Sequence, residues 1–385
     1  MSNADPDVDM WCRYLLFTPL AARRMVAASM SKVQHKTRLF MEASNIDDTN
    51  IYISGSLARG EPTVCRLSSN GYRLVSDIDL LAVVKEGSTH EHPITGLESH
   101  LRRTCPGLKP TVYVVPCSGI GALRSFFARD LSVAFDRPLA ETYPLAAPAV
   151  PYVGQEEQFE VLIHHLSAWL LGPAAEGARD DDHVGEPWCD RDLIEIKLLA
   201  DCLWILQDVP TVGTVRYGDA YRRCDSLCTQ LDRQEIELIV HAHEVHPEAG
   251  KVNVDVVGRL VKSLLRFFHI TPGGHSLHQL IELLTDRAAA STDLLAVYRY
   301  SLPLFLLSRS SQGSVSRQAA EGFRLAWEDL DSDQIIDGRH ALHRIRQLAR
   351  TAQAADSGEP ESHLRSLRKD YYHHLGAQNF GCEND

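Results

Sequence analysis

The chain has 385 residues, of which 44% are hydrophobic and 23% charged, which is ordinary for a globular protein that buries a full core. Its 39 Lys and Arg against 51 Asp and Glu give a formal net charge of -12, which argues against a nucleic-acid partner because non-specific binding depends on cationic neutralisation of phosphates. No apolar run approaches the roughly 18 residues that cross a membrane and the nine cysteines contain no CxxC pair, so we expect a cytoplasmic protein without a membrane partner.

Strand and helix patterns alternate along the first 150 residues. Short apolar runs predict strands at residues 51–55, 76–87 and 110–116. Helical patterns cover residues 18–43, a segment that includes 98–104, and residues 120–130. The next segment, SVAFDRPL at 132–139, is expected to be extended. Alternating strands and helices indicate an α/β or α+β domain with one sheet over residues 1–150.

From about residue 155 the pattern changes, because every apolar segment that we single out has helical periodicity. These segments are residues 156–172, 191–208, 233–245, 256–270, 275–289, 322–330 and 338–353. We therefore predict an all-helical domain over residues 151–385.

Gly55 and Ser56 fall at the turn between the strand IYIS and a helix that begins with Leu57 and Ala58. A glycine lets the backbone bend and lets a ligand approach closely. The free amides at the start of a helix and the serine hydroxyl can donate to a phosphate. Many strand-to-helix turns use Gly-Ser for steric reasons alone, so this turn becomes informative only together with a second motif.

The second motif is a pair of carboxylates, Asp77 and Asp79, on the next apolar strand. Residues two apart on a strand point to the same face, and two unpaired carboxylates buried side by side cost several kcal/mol. Magnesium is the cation that fits best, since it prefers a few carboxylate oxygens together with substrate phosphates. The alternative is a strand end whose aspartates are solvated or paired with Arg59 or Arg73. Both motifs in order on consecutive strands favour a phosphate and metal site.

Three short stretches together resemble the signature of the polymerase-beta-type nucleotidyltransferase superfamily, particularly its minimal nucleotidyltransferase and antibiotic adenylyltransferase branches. They are Gly55-Ser56, Arg59-Gly60-Glu61 and Ser76-Asp77-Ile78-Asp79-Leu80, and the resemblance covers residues from about 45 to 140. It implies an α+β fold: a small mixed sheet flanked by helices, the catalytic domain at 1–150, followed by the helical domain at 151–385.

The resemblance also implies roles for individual residues. Gly55 and Ser56 would hold the triphosphate of a nucleotide, and Arg59 would steady its phosphates. Asp77 and Asp79 would bind Mg²⁺. In similar two-domain enzymes a basic residue of the helical part reaches the triphosphate, which makes Lys197 a candidate; a lysine at the edge of a helix face is the alternative.

Two departures from the family pattern stand out. The interval between Ser56 and Asp77 is longer than usual, and we predict that residues 62–75 form an inserted hairpin. The strand at 110–116 carries Thr111 or Tyr113 where the family places a third carboxylate.

The absence of an acid on this strand has three interpretations. In the first, another acid completes the site, with Glu61, Asp136 and Glu141 as candidates. In the second, the enzyme works with two aspartates, because phosphoryl-type transfer depends heavily on positioning and electrostatics. In the third, the fold binds nucleotide without catalysis.

The expected function is a magnesium-dependent nucleotidyltransferase that moves a nucleoside monophosphate, with AMP from ATP the expected case, onto a hydroxyl of a small molecule and releases pyrophosphate. A catalytically weak or inactive nucleotide-binding regulatory protein and an antitoxin-like protein that attaches AMP to a partner protein are the alternatives. Arg368 and His373 match the loose spacing of HEPN ribonucleases, a short pattern that is common by chance.

Overall fold

The computed structural model of this protein describes residues 6–15, 18–66, 71–87, 91–122, 125–147, 155–171, 190–207, 245–246, 255–271, 273, 275–291 and 294–328. These residues belong to two compact units. The first holds the residues up to 157 together with 245–246, and the second holds 158–207 and 255–328. Within these ranges no helix is both long enough and apolar enough to span a membrane. The helix predicted at 338–353 and the pair Arg368 and His373 lie outside the described residues.

The first unit combines short strands with helices. Its strands are β1 (Thr49–Ile53), β2 (Val64–Arg66), β3 (Tyr72–Leu74), β4 (Ile78–Val84), β5 (Pro110–Pro116) and β6 (Val245–His246). Its helices are α1 (Pro6–Tyr14), α2 (Leu20–Ala43), α3 (Gly55–Ala58), α4 (Glu91–Thr104) and α5 (Ser125–Ala134), with a 3₁₀ helix at Cys117–Ala122. The strands predicted at 51–55, 76–87 and 110–116 and the helix predicted at 18–43 are confirmed.

The main sheet has three strands in the order β1-β4-β5, with β4 in the centre. Strand β4 runs antiparallel to β1 and parallel to β5, so the sheet is mixed and the α+β class is confirmed. Alternate residues of the central strand pack into two different hydrophobic cores, one on each face of the sheet. Leu80 and Ala82 belong to the core that includes α2, whereas Leu81 and Val83 pack with Leu131 of α5. Helices therefore cover both faces, which explains the almost unbroken apolar run of β4.

The hairpin predicted at residues 62–75 is confirmed. Strands β2 and β3 pair antiparallel, with Val64 opposite Leu74 and Arg66 opposite Tyr72. Strand β6 pairs parallel with β2 on its other side, which gives a second small sheet in the order β3-β2-β6. The prediction of helices only after residue 150 is therefore wrong at Val245, the last residue of the helix predicted at 233–245, because pairing with β2 makes Val245 part of a strand. Residues 233–244 lie outside the described residues.

The extended conformation predicted for residues 132–139 is wrong at its beginning. Ser132, Val133 and Ala134 are the last residues of α5. Leu131 and Ala134 are both buried and lie three residues apart, so helical geometry puts them on one face. Only at the end of the segment does the chain join the sheet, where the Leu139 N–H donates to the Ile51 carbonyl over 2.8 Å.

The buried side chain of Asn50 fixes the segment after Leu139 to β1. Its Oδ1 accepts from the N–H groups of Thr142 and Tyr143 over 2.8 and 3.2 Å, and its Nδ2 donates to the Tyr143 carbonyl over 2.9 Å. The Thr142 hydroxyl adds a bond to the Thr49 carbonyl over 2.9 Å. The Asn50 amide and the Thr142 hydroxyl thus continue the contact between this segment and β1 beyond the bridge between Ile51 and Ala140.

Asn50→Ala is expected to destabilise the first unit by about 2 kcal/mol, because a fully buried amide loses its three hydrogen bonds to Thr142 and Tyr143 and leaves their partners less well satisfied. Urea unfolding followed by circular dichroism measures the change. Thr142→Ser keeps the hydroxyl that bonds to Thr49 and should unfold like the wild type. Equal stability of the wild-type and Asn50→Ala proteins would contradict the role given to this side chain.

The second unit consists of helices wherever it is described. They are α6 (Gln155–Leu171), α7 (Asp190–Gln207), α8 (Val256–Phe267), α9 (Ser276–Ala289), α10 (Leu294–Ser310) and α11 (Gly313–Glu328). Helix α10 was not among the predicted segments, and it carries Pro303 in its interior. Its residues Leu302, Leu304 and Phe305 are buried, so tertiary packing stabilises a helix that local propensity disfavours.

Gly322 marks a close contact between α9 and α11. A Cβ atom at this position would lie 2.2 Å from the Thr285 hydroxyl oxygen and 3.5 Å from Leu304 Cδ1. The Thr285 hydroxyl is itself fixed by a 2.7 Å bond to the Ile281 carbonyl. Only a residue without a side chain therefore allows the two helices to pack at this distance.

Gly322→Ala is expected to destabilise the second unit by roughly 1–3 kcal/mol through overpacking. Thermal unfolding measures the loss, and Gly273→Ala, where a Cβ would meet nothing within 4 Å, is the matched control. Adding Thr285→Ala should recover part of the loss because it removes the oxygen that clashes. Without such recovery, the clash would not be the cause.

Candidate active site

The turn after β1 lies against β4, the strand that carries Asp79. Gly55 has φ +67°, in the left-handed region that favours glycine. The preceding Ser54 N–H donates to the Asp79 carbonyl over 2.8 Å. A Cβ at Gly55 would lie 2.5 Å from Asp79 Oδ2. The backbone of the Gly-Ser turn and the carboxylate of Asp79 are therefore in direct contact, although the two motifs are separate in sequence.

Asp77 and Asp79 alternate with fully buried neighbours. Asp77 is exposed and Asp79 is half-buried, whereas Ile78 and Leu80 have no exposed surface. Strand β4 begins at Ile78, so Asp77 directly precedes the strand on which both acids were predicted, and Asp79 is its second residue. The alternation of burial is that of a strand with Asp77 and Asp79 on its more accessible side. The Ile78 N–H donates to the Lys109 carbonyl over 2.9 Å, which fixes the start of β4 beside β5.

Arg59 lies four residues after Gly55, and the carboxylate of a third acid, Asp130, accepts hydrogen bonds from both residues. Arg59 Nη1 donates to Oδ1 and Oδ2 of Asp130 over 2.8 and 2.9 Å. The Gly55 N–H donates to Asp130 Oδ2 over 2.8 Å. Asp130 is 3% exposed, so a buried carboxylate on α5 accepts from two of the residues that the sequence assigned to phosphate.

Glu61, the second acid near Arg59, is 4% exposed, and its Oε2 lies 3.7 Å from Arg59 Nε. The Glu61 N–H donates to the Ser56 carbonyl over 2.9 Å. Farther along, the Thr63 N–H donates to the Ser76 hydroxyl over 2.7 Å. These bonds tie the segment after the Gly-Ser turn to the residue directly before Asp77.

The register of β5 shows which residues stand beside the aspartates. Thr111 pairs with Asp79, and Tyr113 pairs with Leu81. Thr111 therefore takes the place next to Asp79 where the family pattern has an acid.

Of the acids proposed to replace the missing one, only Glu61 contacts the site. Asp136 pairs with Arg137 over 3.1 Å and its side chain is 78% exposed. Glu141 lies on the surface.

Asp130 is not among the site residues predicted from the sequence, although one feature of its position indicates a buried partner. It is the one acid within the amphipathic segment Ser125–Ala134, directly before the buried Leu131. An acid next to the apolar face of a helix needs a partner when it is buried. The sequence does not show that the partner lies 71 residues earlier, at Arg59.

The remaining predicted residues differ in what surrounds them. Ser56 is half-buried at the start of α3. The hydroxyl of the preceding Ser54 is buried and has no hydrogen-bond partner among the described residues. Lys197 lies on α7 in the second unit, half-buried, and its contact with a nucleotide stays a prediction. Across the described ranges, no three His, Cys, Asp or Glu side chains form a group that could hold a metal ion.

Comparisons of this chain with protein-family models, with curated proteins and with solved structures give no match. Its function is therefore inferred from the geometry of its own residues, together with the resemblance of its motifs.

Proposed function

We propose that this protein is a nucleotidyltransferase that moves AMP from ATP onto a hydroxyl of a small molecule and releases pyrophosphate, with Mg²⁺ as its metal. One observation carries the proposal: the backbone of Gly55 lies against the carboxylate of Asp79. Two motifs that were ambiguous separately thus meet at one place, a turn able to bind phosphate and a strand able to bind metal. The order β1-β4-β5 with helices on both faces supports the nucleotidyltransferase arrangement.

The residues at the turn fit magnesium and a nucleotide. Asp77 and Asp79 offer carboxylate oxygens, and phosphate oxygens and water would complete the ligands that Mg²⁺ prefers. Ser54 contributes a buried hydroxyl that has no partner among the described residues, as expected where a polar ligand completes a site. When bound, Mg²⁺ would neutralise phosphate charge and polarise the phosphorus–oxygen bonds. A third protein ligand is not required.

In the proposed reaction the acceptor oxygen bonds to the α-phosphorus of ATP. The bond from that phosphorus to the oxygen bridging the β-phosphorus breaks, and pyrophosphate leaves with the electron pair. The Gly55 N–H and Arg59 would orient the phosphates and stabilise the charge that develops on them. With Thr111 rather than an acid beside Asp79, the hydroxyl proton passes to water, and the rate depends mainly on positioning.

A second candidate is a protein that binds nucleotide without transferring it. Two observations favour it: Thr111 stands beside Asp79, and the Asp130 carboxylate accepts from the Gly55 N–H and from Arg59. The first removes a general base from β5, and the second places a competing anion at the turn.

Incubation with ATP labelled at the α-phosphate, Mg²⁺ and a small-molecule extract tests the proposal. We expect pyrophosphate release and label in a compound heavier than its precursor by one AMP unit, detected by mass spectrometry. Saturable ATP binding without pyrophosphate release would favour the second candidate. Label in a protein band would instead favour the protein-modifying alternative. Absence of ATP binding would overturn both functions that depend on the turn.

A further inference from the structure

The two groups assigned to phosphate in the proposed function already hold an anion from the chain itself. The Gly55 N–H and Arg59 Nη1 both donate to the carboxylate of Asp130, each over 2.8 Å at the shortest. We propose that Asp130 is an internal competitor for the nucleotide phosphate, so that its carboxylate must leave these donors before a phosphate oxygen can take its place. The inference rests on the proposed function and adds a residue that sets the affinity of the site.

A carboxylate and a phosphate compete for these donors because both are charged acceptors that carry several oxygens. Gly55 has a single backbone N–H, and Asp130 Oδ2 accepts from it at a normal hydrogen-bond length. The Arg59 guanidinium binds carboxylates and phosphates through the same planar set of N–H groups. A phosphate oxygen at Gly55 therefore requires that Asp130 withdraw.

The charges near Arg59 also favour replacement over addition. Two nearly fully buried acids approach this single cation, Asp130 at 2.8 Å and Glu61 at 3.7 Å. A triphosphate added beside both would bring further negative charge into a poorly solvated place, where like charges repel strongly. Withdrawal of Asp130 removes one negative charge from beside the guanidinium and lets Arg59 Nη1 donate to a phosphate oxygen instead.

Asp130→Asn tests the exchange, because asparagine keeps the shape of the side chain and a carbonyl oxygen for the Gly55 N–H while removing the charge. Binding of ATP with Mg²⁺ is measured by isothermal titration calorimetry. We expect the variant to bind at least about tenfold more tightly than the wild type, the size expected for one like charge removed at close range. Asp47→Asn, an exposed acid in the same unit, is the matched control and should leave the affinity unchanged.

The outcomes separate this inference from the proposed function. If the wild type binds ATP and folded Asp130→Asn binds it equally or more weakly, Asp130 is not a competitor, and the proposed function stands. If neither protein binds ATP, both ideas fall. Circular dichroism shows whether the variant is folded.

Hydrogen exchange of the wild type gives a second test that does not depend on the variant. With ATP and Mg²⁺ added, peptides from Ser54 to Gly60 should gain protection, while peptides from α5 should lose it as Asp130 leaves its donors. Increased or unchanged protection of α5 on ATP binding would overturn the exchange.

Discussion

Replacement of both Asp77 and Asp79 by asparagine is expected to abolish pyrophosphate release from ATP, with a loss of at least about a thousandfold in kcat/KM. Metal binding at a phosphoryl-transfer site contributes several kcal/mol to the transition state, and each 1.4 kcal/mol is about a factor of ten in rate. Asparagine cannot supply the negative charge that attracts Mg²⁺. A coupled assay for pyrophosphate, run over a series of Mg²⁺ concentrations, measures the loss.

The double variant should remain folded. Asp77 is exposed and Asp79 is half-buried, and asparagine preserves the volume of both side chains. We expect the free energy of unfolding to stay within about 1 kcal/mol of the wild type. Asp47→Asn, which removes a charge away from the turn, should keep the wild-type rate. A double variant that still releases pyrophosphate at the wild-type rate would show that the site lies elsewhere.

The part of the site that could be predicted from the sequence is the part defined by local chemistry. The apolar runs that form β1 and β4 are short and bounded, so their positions follow from the pattern alone. A Gly-Ser pair after β1 and two acids at the start of β4 each indicate a ligand, so the sequence alone suggests that the two motifs belong to one site. Contact between Gly55 and Asp79 then follows if β1 and β4 are neighbours, as the structure shows.

Asp130 could not be predicted in the same way. It reaches the turn from a helix 75 residues after Gly55, and its partners are a backbone N–H and an arginine that the sequence had assigned to phosphate. Such a contact depends on how α5 packs against α3 and β1, which is a property of the folded unit. Local pattern shows that an acid near an apolar helix face needs a partner, but not which one it has.

Two segments are helical although their local propensity disfavours a helix, and the reason is the same in both. Val133 and Phe135 favour a strand by local propensity, yet Leu131 and Ala134 are buried on one face of α5 and extend the helix. In α10 the interior Pro303 argues against a helix, but the surrounding residues are buried. In both segments burial outweighs a local preference of about 1 to 3 kcal/mol.

Gly55→Ala is expected to destroy ATP binding and to destabilise the first unit by roughly 2–4 kcal/mol. The new Cβ would lie 2.5 Å from Asp79 Oδ2, and overpacking of this kind costs about 1–3 kcal/mol. Alanine at φ +67° adds about 1 kcal/mol of backbone strain. Relief of the clash must move either the turn or Asp79, and each movement separates the phosphate donors from the metal ligands.

Gly87→Ala separates the two contributions to this loss. Gly87 has a similar φ of +73°, but a Cβ there would meet nothing within 4 Å, so this variant carries the backbone strain without the clash. We expect it to lose about 1 kcal/mol of stability and to bind ATP like the wild type. Equal destabilisation of the two variants would show that Gly55 does not contact Asp79 in solution. Wild-type ATP affinity in Gly55→Ala would show that nucleotide binds away from this turn, because movement of either the turn or Asp79 separates the phosphate donors from the metal ligands.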